Sequence, residues 1–138
     1  MAAPAVLTSS DSPLPSGSTT LLYPYPSGQN PRGQLWQAVG RMRFRTPGGY
    51  FLVADGPQRR VGYSPEVGYG ADTLTARTLL ALSNGQPPTE TPALRAALRH
   101  QLAGWDVTNV TETSSDDPDP TRSVAFLTWL TGRSPTVV

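Results

Sequence analysis

The stretch "LWQAVGRMRFRTPGGYFLVADG", Leu35 to Gly56, decides how this chain is read, because its hydrophobic period changes part-way along. Leu35, Val39 and Met42 stand at i, i+4 and i+7, the spacing of one helix face. Thr46-Pro47-Gly48-Gly49 interrupts that pattern, since proline cannot continue a helix and paired glycines favour a tight return. "YFLVAD" follows, a short and almost wholly apolar run of the kind buried on both faces of a parallel sheet. A helix leading into such a strand predicts an α/β fold.

Working outward supports the same reading. Upstream, "TTLLYPYP" gives a β-prone segment, Thr19 to Tyr23, halted by Pro24 and Pro26. "SGQNPRG" is loop, and residues 1 to 18 form a Ser/Pro-rich arm. Downstream, residues 56 to 72 are rich in glycine and proline, show no period and read as a long surface loop. A helix from Leu74 to Leu82 stops at Asn84-Gly85. Thr91 is an N-cap with Pro92 at the first helical position, and Leu94, Leu98, Leu102 and Trp105 make an apolar stripe behind them. Val107 to Thr111 reads as a strand, "ETSSDDPDP" as an acidic, solvated loop, and Asp119-Pro120 as the start of a last helix. That helix turns Val124, Leu127 and Leu130 inward and ends at Gly132. Pro135 to Val138 begins another strand.

The resulting order, β-α-β-α-α-β-α-β, predicts a Rossmann-like three-layer α/β sandwich. A mostly parallel sheet of about four strands is flanked by helices, in a single domain over residues 19 to 138. Its expected core is Leu22, Leu35, Val39, Phe51, Val53, Leu79, Leu94, Leu98, Leu102, Val110, Val124, Leu127 and Leu130. "GRSPTVV" stops inside this last strand, so the chain is expected to be a fragment of a longer protein.

Composition narrows the chemistry. The formal net charge of +1 gives no global field toward nucleic acid, which is not an expected partner. All eleven basic residues are arginine, a bias that a GC-rich genome explains. With no cysteine, disulfides, thiol catalysis and Cys-based zinc sites are excluded. No apolar run reaches the roughly 18 residues that cross a bilayer, and the start has neither the basic nor the apolar region of a secretory signal.

No catalytic constellation emerges. "GYGADT" lacks the third small position of a dinucleotide fingerprint and follows no predicted strand, and without lysine there is no P-loop. His100, the single histidine, reads as a surface residue on the helix after Thr91. Asp116, Asp117 and Asp119 lack the glycine and distal glutamate of a calcium loop, so no metal is expected and no cofactor is implied. What remains is the opening stretch. In the last turns of a helix ending near Phe44, Arg41, Arg43 and Arg45 would offset the negative end of its dipole. The functional alternative is an anion clamp, since guanidinium pairs bidentately with carboxylate or phosphate. Tyr25, Trp36 and Tyr50 would then supply aromatic faces for a sugar, or else serve as core and loop anchors. These six residues are the candidate ligand-binding set.

The ordered combination of "LLYPYP", "LWQAVGRMRFRTPGGYF" and "ALRAALRHQLAGWDVTNV" resembles the extracytoplasmic C-terminal region of large actinobacterial multi-spanning membrane proteins of the GT-C glycosyltransferase type. The resemblance covers roughly residues 15 to 138. It implies a parent enzyme that transfers sugar from a polyprenyl-phosphate donor, using an acidic residue on a loop absent from this chain. On that footing the isolated domain is inactive and has no catalytic residue of its own. It is expected to be an accessory domain on the outer face of the cell membrane, in contact with the membrane-embedded remainder of the polypeptide or an acceptor glycan. The alternative is a free-standing Rossmann-like module for a small molecule or nucleotide.

Overall fold

A computed structural model describes residues 14–27, 30–48, 52–55, 60–63 and 73–138, together with Ala5 and Ser9. The strands are β1 (Thr19–Tyr23), β2 (Leu52–Asp55), β3 (Arg60–Tyr63), β4 (Val107–Glu112) and β5 (Thr136–Val137). The helices are α1 (Arg32–Val39), α2 (Leu74–Ser83), α3 (Pro92–Gly104) and α4 (Pro120–Thr131), with a 3-10 turn at Ser114–Asp116.

The fold is α/β. Strands β1, β4 and β5 form a parallel sheet in that order, with Tyr23 opposite Glu112 and Glu112 opposite Val137. Every residue of β1 is buried, because both of its faces are covered. On one face Leu21 and Tyr23 join Leu79 and Leu82 of α2, Leu98 and Leu102 of α3, and Phe126, Leu127 and Leu130 of α4. Period-2 alternation sends Leu22 to the other face, where it meets Leu14, Trp36 and Phe44.

Local chemistry sets the helix ends. The Thr91 hydroxyl accepts from the Leu94 amide at 3.1 Å, and Asp119 Oδ1 accepts from the Arg122 amide at 3.2 Å. Both helices carry proline in the first turn, where its missing N–H costs nothing. Gly85 and Gly132 close α2 and α4 in the left-handed conformation, at φ 75° and 78°.

Four expectations need correction. The sheet of described strands has three members, and β2 belongs to none of them: it pairs antiparallel with β3 in a separate hairpin. The expected loop over residues 56 to 72 hides β3, whose "RVGY" carries two strand formers but is too short to show a period. Helix α1 ends at Val39 rather than near Phe44. Its face is also reversed. Leu35 and Val39 are 60% and 53% exposed, and the buried positions are Gly33 and Trp36. The reason is steric, since a β-carbon on Gly33 would stand 2.6 Å from Pro26 Cγ and 2.9 Å from Leu22 Cδ1. Only the glycine side can approach β1 this closely, and it carries Trp36 in with it. Of the remaining expected core, Leu94, Val110 and Val124 are half-buried. Phe51 lies outside the described residues, as does the side chain of Val53.

Candidate functional site

The described candidates of the Arg-aromatic stretch go to separate parts of the fold. Tyr25 is buried in the main core, and its phenol shares a hydrogen bond with the Thr73 hydroxyl. That hydroxyl also caps α2, accepting from the Ala76 amide at 3.2 Å. Burial pushes the Tyr25 phenol well above its ordinary pKa, so the group stays neutral. Trp36 fills the smaller cluster on the opposite face of β1. Tyr50 lies outside the described residues.

The three arginines lie beyond the helix and go separate ways. Arg41 sits in the left-handed turn that closes α1, exposed, with φ 55°. Arg43 Nη1 donates to the Ser9 carbonyl at 2.5 Å, and its own carbonyl accepts from the Gly17 amide at 2.6 Å, so it ties down the N-terminal arm. Arg45 serves through its backbone and through its guanidinium, whose Nη2 donates to the Gly17 carbonyl at 3.3 Å. Its amide donates to Ser18 O and its carbonyl accepts from the Thr20 amide, each at 2.8 Å, a parallel bridge on the outer side of β1. The explanation from the helix dipole therefore fails, because no basic residue occupies the last turn of α1.

The chemically unusual cluster lies elsewhere, at the carboxyl ends of β1 and β4. Glu112 is fully buried beside Tyr23, its partner across the strands. Its carboxyl lies beside that of Asp117, and Ser114 Oγ donates to Glu112 Oε2 at 2.8 Å. Burial raises the Glu112 pKa, and the neighbouring Asp117 raises it further. Asp117 Oδ1 accepts from the Asp119 amide at 2.9 Å, and Asp116 pairs with Arg32 at the start of α1. Tyr23 completes the cluster through Ser83 and Ser123, its pKa raised chiefly by burial. The "SSDDPD" loop is thus no solvated turn. Residue types alone give no warning of it: Glu112 ends a strand, VTNVTE, that shows no clear apolar face.

This place is where open parallel sheets hold ligands, yet Tyr23 and Glu112 have no exposed surface and Thr113 closes over them. Both the amide and the hydroxyl of Thr113 donate to the Tyr23 carbonyl, at 2.9 Å each. One open groove, of about 470 Å³, lies at the other end, beside the amino half of β4, among Thr108, Asn109, Arg133 and Ser134, and another, of about 540 Å³, lies among Glu90, Pro92, Arg95 and Trp129. Among the described residues no group of three or more His, Asp or Glu side chains is arranged to hold a metal ion. No helix of the described structure is long and apolar enough to cross a membrane. No protein-family model, curated protein or solved structure matches the chain.

Proposed function

We propose that this chain is a non-catalytic accessory domain of a membrane glycosyltransferase-like protein of the GT-C type. It faces outward from the cell membrane and contacts the membrane-embedded catalytic part or an acceptor glycan. One observation carries the reading: the segment most like a ligand clamp is spent on the scaffold. Tyr25 and Trp36 fill cores on opposite faces of β1, while Arg43 and Arg45 hold the N-terminal arm and the sheet edge. The acidic pair Glu112–Asp117, the other place where chemistry could be sought, is closed to a substrate.

Supporting features are of the same kind. Helices α2, α3 and α4 cover one face of β1 and α1 with the arm covers the other, an arrangement that suits a Rossmann-like three-layer sandwich with the β2–β3 hairpin as an addition. The groove beside β4 lies at the amino side of the sheet, away from the end where nucleotides bind in such folds, which speaks against a free-standing nucleotide module.

The test is an immunoblot of fractionated cells with antibody raised against the 138-residue chain. The expected result is a membrane-bound polypeptide several times heavier than 14.7 kDa that salt does not extract. A salt-soluble species of 14.7 kDa would overturn the reading.

A further inference from the structure

Three of the large apolar side chains that stand exposed, Leu35, Val39 and Met42, fall within eight consecutive residues. Leu35 and Val39 are one helical turn apart and project from the same face of α1, opposite the glycine face fixed against β1. Met42, 66% exposed, follows in the turn that closes the helix.

That turn is unusual. The Arg41 amide donates to Ala38 O at 3.0 Å and the Met42 amide to Gln37 O at 2.9 Å, the paired bonds of a Schellman motif. The left-handed position of that motif is normally glycine, as Gly85 is after α2. Here Arg41 and Met42 take it in succession, at φ 55° and 57°, each at a cost of about 1–2 kcal/mol. Backbone strain held by two exposed, non-glycine side chains marks a place where those side chains are needed.

Charge identifies what they meet. From Ser12 to Ala54 there is no aspartate or glutamate, while four arginines fall in that span. Arg41 and Arg45 are exposed. The salt bridges among the described residues engage Arg32 and Arg122 instead. Apolar side chains standing out beside uncompensated guanidinium groups match an anionic lipid surface. The apolar groups enter the boundary between headgroups and acyl chains, and the cations pair with phosphate. A second copy of the chain is a poor fit, since a two-fold contact would bring the same arginines together.

We propose that α1 and its closing turn form a peripheral membrane-contact surface. Leu35, Val39 and Met42 insert into an anionic leaflet, and Arg41 pairs with its phosphate headgroups. This needs only the present chain and holds with or without a membrane-spanning part joined to it.

The test is co-sedimentation of the 138-residue chain with phosphatidylcholine vesicles, with and without about 30% phosphatidylglycerol, at low salt. Binding to the anionic vesicles should be at least about tenfold tighter than to the neutral ones. It should fall by at least about tenfold in the Leu35→Glu/Val39→Glu double variant and in Arg41→Glu. Arg77→Glu, an exposed change on α2, should leave it unaltered, and circular dichroism should show all the variants folded. Absence of binding to anionic vesicles, equal loss in Arg77→Glu, or retention by the double variant would overturn the proposal. So would a dimer in sedimentation equilibrium that Leu35→Glu/Val39→Glu abolishes, because the stripe would then be a protein interface.

Discussion

Gly48 is the floor on which the ring of Tyr25 rests: a β-carbon there would stand 2.6 Å from both Cε1 and Cζ of the phenol. The glycine is also left-handed, at φ 88°. Gly48→Ala should therefore combine overpacking of about 1–3 kcal/mol with backbone strain of about 1 kcal/mol. Gly17→Ala is the matched control, left-handed at φ 78° with open space around it, and should cost the strain alone. Urea titration separates the two. Equal midpoint shifts would mean that the ring yields and the contact is not structural.

Arg41 invites the opposite change. Glycine at the left-handed position closing α1 would relieve about 1 kcal/mol of strain, less a few tenths for its greater freedom in the unfolded chain. Arg41→Gly should raise the urea midpoint. A lowered midpoint would show that the arginine side chain makes a stabilising contact and that the strained turn needs no functional reason.

Glu112 predicts a pH dependence with a definite sign. Its pKa is raised in the native protein by burial and by Asp117, so the folded state keeps a proton that the unfolded chain releases above its ordinary value of 4.5. The stability this group contributes is present in full below that value and declines as pH rises through the raised native one. Glutamine carries no charge at any pH and can donate to Asp117. Glu112→Gln should thus be the more stable protein near neutral pH, by about 1–3 kcal/mol, the cost of a buried acceptor such as Oε1 left without a partner. The gap should close in acid. A constant difference across pH would place the proton elsewhere.

Leu98 and His100 test the face of α3. Leu98 is wholly buried and His100 exposed. Leu98→Ala should cost about 2–5 kcal/mol and His100→Ala under about 0.5 kcal/mol. Similar unfolding midpoints for the two variants would contradict the packing.

The readable parts of the sequence were those where one local rule acts alone. Thr91-Pro92 and Asp119-Pro120 start helices, Gly85 and Gly132 end them, and Leu98, Leu102, Leu127 and Leu130 face inward on helices long enough to average out exceptions. Helix α1 misled because it has only eight residues and two competing faces. Leu35 and Val39 marked one by hydrophobicity, but the close approach permitted by Gly33 selected the other. Strand β2 misled because an apolar run looks the same in a hairpin as in a parallel sheet. The carboxyl pair was hidden for a different reason. Glu112 and Asp117 are five residues apart, and only the register of β4 with β1 and the turn at Ser114–Asp116 bring them together inside the protein.

Tyr25, Trp36, Arg43 and Arg45 serve the scaffold rather than a glycan clamp. The most direct test is glycan-array binding by the wild-type chain beside Arg43→Ala and Arg45→Ala. Removing the Arg43 bond to Ser9 or the Arg45 bond to Gly17 should lower stability by about 0.5–1.5 kcal/mol each. Whatever glycan signal the wild-type chain gives should survive both substitutions. Saturable binding by the wild type that either substitution abolishes, in a protein still folded, would contradict the scaffold role and establish the clamp.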